Sequence, residues 1–406
     1  MISTKRPKAC SSPHQTSPSL SVATVVNNDD LLVQILLHLP VKSLLKFKCV
    51  SKHWLSIITN PQFSRRHYPV INSVCALFVQ KFSHPRQPEF DFVDLHSNSS
   101  GAPFRFLTFS KDPSGIKITQ SCNGLLLCSS YRANSYKTWY YVYNPTTKQF
   151  SALPRLRKAS RVLGLTLAFD PWKSPDYKVV SVRKCDTSRH RCLIDIYSSR
   201  SGPWRVSGNP FTAATGNVKF NGVYSNGAIH WISDYGPSLY FDVDKEQLNQ
   251  MPMPPIPDGW DRRRVMYFGE CRGHLHLIEN YSPPRDTPFD VCEMKKDYSG
   301  WVVKYRVDLD GVAKSFPEMA RRYLDPFVLN YYSFQILSVI ESGESDDYTF
   351  LVLHVPGKLI RYNLTDDSFK RLHVIGHGGD TDMEDENAEN FTLIEAYKYI
   401  ESLALV

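Results

Sequence analysis

Along residues 29–67 apolar residues recur at helical spacing. In DDLLVQILLHLPVKSLLKFKCVSKHWLSIITNPQF they fall first at 31, 32, 35, 36 and 39, one face of an amphipathic helix. Asn28 and Asp29 suit its N-terminus, and Pro40 stops it, because proline lacks an N–H and disfavours α conformation in the residue before it. A second helix carries Leu44, Leu45 and Phe47. Ser51 caps a third that buries Trp54, Leu55, Ile57 and Ile58, and Asn60-Pro61 ends it and opens a short turn through Phe63. Three short helices approach the size below which a domain rarely buries enough surface to fold securely alone. Their apolar residues outnumber what so small a core can hide, which points to a partner on part of that face.

From about residue 68 the period changes from 3.6 to 2. Strands are predicted at VCALFVQ (74–80), FDFVDL (90–95), GLLLC (124–128), WYYVYN (139–144), YKVVSV (177–182), CLIDIYS (192–198), AIHWIS (228–233) and SLYFDVD (238–244). They continue at HLHLIE (274–279), FDVCEM (289–294), WVVKYRV (301–307), FQILSVI (334–340), YTFLVLHV (348–355) and KLIRYNL (358–364). Gly/Pro/Asn/Asp clusters separate them and no long helix interrupts. The pattern repeats: a strand opening next to glycine (CNGLLLC, SNGAIHW, CRGHLHL) precedes an aromatic-acidic strand. Tyr143, Tyr197, Phe241, Cys292 and Tyr362, taken as equivalent points, are spaced by 54, 44, 51 and 70 residues. Steps near 50 residues with four strands each characterise propeller blades. The expected fold is therefore a small all-α module of three helices followed by a large all-β domain, β-propeller-like, of about six blades. A propeller must join its ends, and the apolar 391–406 segment alternates Ala396, Lys398 and Ile400 with Tyr397, Tyr399 and Glu401. It is expected to pair with strands in 70–95, with a C-terminal helix as the alternative. Residues 1–28 read as a disordered tail, 29–67 as the helical module and 68–406 as the β domain, with an acidic loop at 378–390.

Composition refines this picture. With 42% hydrophobic and 22% charged residues, the 406-residue chain is globular, and no apolar run is long enough for a membrane helix, so no membrane partner is expected. The first 28 residues lack the apolar stretch of a secretory signal, and nine scattered cysteines without a C-x-x-C pair argue against a disulfide framework or a zinc site. These features point to a reducing compartment, cytoplasm and/or nucleus, where KRPK at 5–8 is a candidate import patch or simply a solvated cluster. The net charge of +8 suggests nucleic acid until it is located: residues 1–70 hold nine Lys/Arg against two Asp, leaving about +1 for the rest. No basic stripe crosses the β domain as a whole, so no nucleic-acid partner is expected.

Catalytic signatures are missing: no phosphate-binding glycine loop, H-E-x-x-H or G-x-S-x-G occurs. His274 and His276 project from one strand face, but with no third ligand nearby they read as rim histidines rather than a metal pair. Cys122–Cys128 and Cys185–Cys192 read as small buried hydrophobes, and Trp172, Trp204, Trp231 and Trp301 as packing residues. No catalytic residue, cofactor or metal is expected.

LLVQILLHLPVKSLLKFKCVSKHWLSIITNPQF closely resembles the F-box of the large plant family that carries a C-terminal F-box-associated, kelch- or propeller-like interaction domain. The resemblance extends through CNGLLLC, YNPTTKQF, LAFDP, YKVV, IYSSRSGPWR, NGAIHW and the closing YIESLALV. It implies the substrate receptor of an SCF-type cullin-RING ubiquitin ligase, in which the F-box docks on a Skp-type adaptor and the β domain holds an unknown target. Carried over position by position, the adaptor-binding residues are Leu31, Leu32, Ile35, Leu36, Leu39, Pro40, Val41, Leu44, Leu45, Phe47, Val50 and Trp54. Lys42, Lys46, Lys48 and Lys52 suit the acidic surface such adaptors present. One departure stands at the start, where Asn27 and Asn28 occupy positions at which the family has Leu-Pro ahead of its first helix. The alternatives are a non-degradative F-box scaffold, a propeller enzyme, which would need convergent acids or ligands at a central channel, and a DNA-binding helical module. Residues 51–59 lack the base-reading side chains the last would require.

Overall fold

The computed structural model describes residues 28–71, 74–81, 87–96, 102–131, 138–156, 161–185, 188–212, 218–281, 287–325, 331–341, 349–375 and 393–406. The KRPK patch, the N-terminal tail up to residue 27 and the acidic loop lie outside them.

Four helices open the described chain: α1 (Asp29–Leu37), α2 (Val41–Phe47), α3 (Lys52–Thr59) and α4 (Pro61–Ile71). Asn28 caps α1, its side-chain oxygen accepting from the amides of Asp30 and Leu31 at 3.1 and 3.2 Å. A cap thus opens this helix where the family pattern has Leu-Pro. Pro40 takes the N-cap position of α2, and Ser51 caps α3 through the Trp54 amide. The expected short turn after Pro61 is an eleven-residue helix that runs past residue 67. Proline at its first position has no N–H to leave unpaired, so Asn60-Pro61 starts a helix as readily as it ends one.

The β domain is a six-bladed propeller. Its strands are β1 (Ala76–Lys81) and β2 (Glu89–Asp94), then β3 (Ile116–Cys122), β4 (Leu125–Ser130), β5 (Tyr140–Asn144) and β6 (Gln149–Ala152). Next come β7 (Val162–Ala168), β8 (Lys178–Cys185), β9 (Ser188–Ser198) and β10 (Gly202–Thr212), followed by β11 (Val223–Ser225), β12 (Ala228–Trp231), β13 (Ser238–Asp242) and β14 (Gln247–Met251). Then follow β15 (Val265–Cys271), β16 (His274–Glu279), β17 (Pro288–Met294) and β18 (Trp301–Asp308). A short helix α5 (Asp310–Ser315) leads to β19 (Gln335–Glu341), β20 (Thr349–Val355), β21 (Lys358–Asn363) and β22 (Phe369–Val374), and β23 (Glu395–Tyr399) is last. Each consecutive quartet from β3 to β22 forms an antiparallel sheet, and β23 joins β1 and β2 in the order β2-β1-β23. Tyr143, Tyr197, Phe241, Cys292 and Tyr362 all lie on the third strand of their blades, so the repeat read from them is the true one. The step of 70 residues spans α5 and the long connection before β19.

The ring closes as expected from the alternation in 391–406. Val79 pairs with Ala396 and Leu77 with Lys398 in an antiparallel ladder, so the last strand is the innermost strand of the first blade. The innermost strands β3, β7, β11, β15, β19 and β23 touch in succession and surround a central channel. Between blades lie cores such as Cys271, Ile278, Val291, Val339, Leu351 and Ile360, buried between the fifth and sixth. Two outer-strand tryptophans tie neighbouring blades by the same bond: Trp204 Nε1 donates to the Pro154 carbonyl at 2.7 Å and Trp301 Nε1 to that of Pro252 at 2.8 Å. Trp231 is fully buried. Trp172 departs from its expected packing role and stands 53% exposed beside the helices, because it lies on the β7–β8 loop rather than in a strand.

Candidate functional site

The helical module is built around Leu32, Leu36, Leu37, Val41, Leu44, Ile58 and Phe63. Of the twelve residues assigned to adaptor docking, Leu32, Leu36, Val41 and Leu44 therefore hold the helices together. Leu39, Leu45, Phe47 and Trp54 are half-buried against that core, with Phe47 and Trp54 edge to face at 5.4 Å. Leu31, Ile35, Pro40 and Val50 are exposed. The apolar stripe of α1 is thus split lengthwise: its 32/36 rail faces the core, while Leu31 and Ile35, 46% and 49% exposed and one turn apart, face outward. Leu55, expected on the buried side of α3, is exposed as well. A short helix turns only a narrow arc inward, so adjacent apolar positions land on different sides.

The module is not self-contained. Beyond β23 the chain runs outward, and Leu403, 6% exposed, enters the helical core. Glu401 pairs with Lys42 at 3.0 Å, so that lysine is committed to the chain's own tail as well as suiting an acidic partner. Burial lowers the pKa of Lys48. Asn144, fully buried at the end of β5, donates from Nδ2 to the carbonyls of Ser402 and Ala404 at 3.0 and 2.8 Å and fixes the path. Gly124 lets the tail pass: it sits at φ +90°, and a Cβ there would come within 2.5 Å of Ser402 Cβ. On the other side of the joint, Arg65 donates to the Trp172 carbonyl at 3.1 and 2.7 Å, and His67 Nε2 meets the Leu39 carbonyl at 2.8 Å. Burial lowers the pKa of His67, keeping it neutral in this joint. No sequence periodicity marks Leu403 as part of a core more than 300 residues away.

These contacts place the helices on the face of the propeller that carries the β7–β8 loop and the end of β23. The loops joining second to third strands, and those joining one blade to the next, emerge on the opposite face. The channel contains a cavity of about 240 Å³ lined by Thr119, Gln120, Ser121, Tyr224, Tyr267 and Lys398. Lys398 is enclosed there and donates to the Glu270 carbonyl. His274 and His276 meet one carboxylate, Glu293, at 2.8 and 3.5 Å, and Lys304 joins them at 2.9 Å. These partners, His276 foremost, hold Glu293 down to about 2. Among the described residues no group of three or more His, Cys, Asp or Glu is placed to hold a metal ion, and all eight described cysteines are free.

A small helical module that exposes apolar residues is thus joined through its own C-terminal tail to a six-bladed propeller. The F-box domain model matches residues 28–66 and the F-box associated beta propeller domain model residues 87–272. The Arabidopsis thaliana F-box protein At5g07610 is 37% identical over 401 residues, covering 91% of each chain. F-box protein At1g30790 of the same plant is 26% identical over 397 residues (86% of this chain, 93% of that one), and F-box/kelch-repeat protein At3g23880 is 26% identical over 266 residues (61% and 71%). The chain belongs to the plant F-box proteins with a C-terminal propeller domain. Proteins of this family are typically non-catalytic adaptors.

Proposed function

We propose that this protein is the substrate receptor of an SCF-type cullin-RING ubiquitin ligase, acting in the cytoplasm and/or nucleus. Its F-box face docks on a Skp-type adaptor, and its propeller holds the target protein. The observation that carries this reading is the outward pair Leu31 and Ile35, accompanied by exposed Val50 and Leu55, on a module whose inner side is already filled by its own tail. The mechanism is proximity: a target held beside a charged conjugating enzyme meets ubiquitin at high effective concentration, without a catalytic residue in this chain. The joint through Arg65 and Leu403 suits that role, because it holds the F-box against the propeller.

Co-expression with a Skp-type adaptor tests this. Leu31→Asp with Ile35→Asp removes two central apolar contacts, each worth ~2 kcal/mol at an interface centre, and should abolish co-purification of the adaptor. Both positions are exposed, so thermal unfolding should be unchanged. Undiminished adaptor capture by the double variant would overturn the docking assignment, and adaptor capture without the cullin would favour a non-degradative scaffold.

A further inference from the structure

The near-neutral propeller conceals a separation of charge. Between Asp112 and Asp170 the sequence contains no acidic residue but eight Lys and Arg. The described members of this run, Lys148 in the β5–β6 turn excepted, lie on the face opposite the F-box. Lys117 opens β3, Arg155 follows β6 and Arg161 precedes β7. Lys184, near the end of β8, joins them through its amide, which donates to the Arg161 carbonyl at 2.9 Å. Trp139, 37% exposed at the start of β5, carries the Arg155 guanidinium 4.1 Å above its ring. Among the described residues no carboxylate pairs with any of these four cations. Asp112, which precedes β3 on the same face, is occupied by the Ser130 and Tyr141 hydroxyls at 2.6 and 3.2 Å and the Ser114 amide at 2.9 Å. Asp195 is closed in a buried pair with Arg183 at 2.5 Å.

We propose that this face of the second and third blades binds an acidic peptide segment of the target. Its carboxylates meet Arg155, Arg161 and Lys184, and an aromatic or apolar side chain packs on Trp139. Unpaired cations on one face call for carboxylates of opposite charge, and an exposed tryptophan stacked with arginine is the pairing that anchors protein interfaces. Arg155 stacked on Trp139, with Arg161 and Lys184 on the same face of an otherwise near-neutral domain, forms a patch suited to a peptide rather than the stripe that tracks a nucleic-acid backbone. The proposal rests on reading the propeller as the target-holding part.

The test uses the full chain co-purified with its adaptor and a short fluorescein-labelled peptide of alternating Glu and Tyr, followed by anisotropy. The same peptide with Gln for Glu, and an oligothymidylate of equal length, serve as comparisons. The Glu peptide should bind, and more weakly as salt rises, while the Gln peptide should not. Arg155→Glu with Arg161→Glu should weaken binding by ~tenfold or more, and Trp139→Ala should weaken it at both salt concentrations. Lys148→Glu, which removes a cation from the opposite face of the same blade, should change nothing. Equal binding of the Gln peptide, unchanged affinity in the double-arginine variant, or preference for the oligothymidylate would overturn the proposal. So would a rise in affinity on deleting 378–389, which would assign the patch to this chain's own acidic segment. Adaptor capture is read in the same samples: its loss would count against the ligase reading, and peptide binding alone decides this surface.

Discussion

Leu403→Ala separates the two halves of the joint. Leu403 is 6% exposed inside the F-box core among Leu32, Leu36, Val41, Leu44 and Phe63, while β23, which closes the ring, ends at Tyr399 and is untouched by the change. Removing a buried leucine side chain costs 2–5 kcal/mol, and about 3 kcal/mol is reasonable here because the cavity lies between tail and helices, where some collapse is open to it. A module of this size holds only a few kcal/mol by itself. A loss of about 3 kcal/mol raises its opened fraction roughly a hundredfold and brings it near the point of unfolding while the propeller stays intact. Amide hydrogen exchange reads this directly: α1 and α2 should exchange about two orders of magnitude faster, and β20, deep in the sixth blade, should not change. Adaptor affinity should fall as the folded fraction of the module falls, since the adaptor meets only the folded module. Leu405→Ala, at a site 47% exposed, serves as the control and should change neither. Unaltered exchange in α1 and α2 of Leu403→Ala would refute the argument that the tail completes this core.

Gly124→Ala should destabilise the protein by ~2 kcal/mol or more, because the residue sits at φ +90° and its new Cβ would meet Ser402. Ser402→Gly should restore part of the loss in chemical denaturation, and independent effects of the two changes would show that the tail does not press on this turn. The Glu293 carboxylate, held at about 2 against an ordinary 4.5, supports the fold above that ordinary value and loses its support as pH falls towards 2. Glu293→Gln should therefore lower the thermal midpoint at neutral pH and flatten its decline across that acid window. A variant whose profile runs parallel to the parent's would dissociate Glu293 from the acid limb.

The fourteen segments read as strands in the sequence all correspond to strands, and most are second and third strands of their blades. Those positions are buried on both faces, as in β4 and β12, so their residues are continuously apolar and conspicuous. The segments that escaped notice are chiefly innermost and outermost. β3 carries Thr119, Gln120 and Ser121 towards a polar channel, and β7 is interrupted by Gly164, where a Cβ would strike Phe220. β6 and β14 lie at the solvent edge with little to bury. The F-box was legible because local periodicity, caps and motif agree there. The division of its apolar residues into inner and outer was not, since Leu31 and Leu32 differ only in which way a packed helix has rolled. The contribution of Leu403 was illegible for the same reason that any contact between distant segments is. The charge separation of residues 113–169 was present in the sequence, but a net charge taken over the whole domain averages it away.

The tail that completes the F-box also dictates when this protein can become competent during its synthesis. The F-box leaves the ribosome before the propeller, yet its core lacks Leu403 until more than 300 further residues have been translated. N-terminal domains ordinarily fold first as they emerge. Here the first module waits for the last strand, and the ring waits for the same stretch of chain. A chain stalled before β23 and Leu403 are made has a helical module with an open core and a propeller with two bare edges. Such a product presents only a loosened F-box, so the order in which its residues are made keeps an incomplete chain from offering a finished docking face.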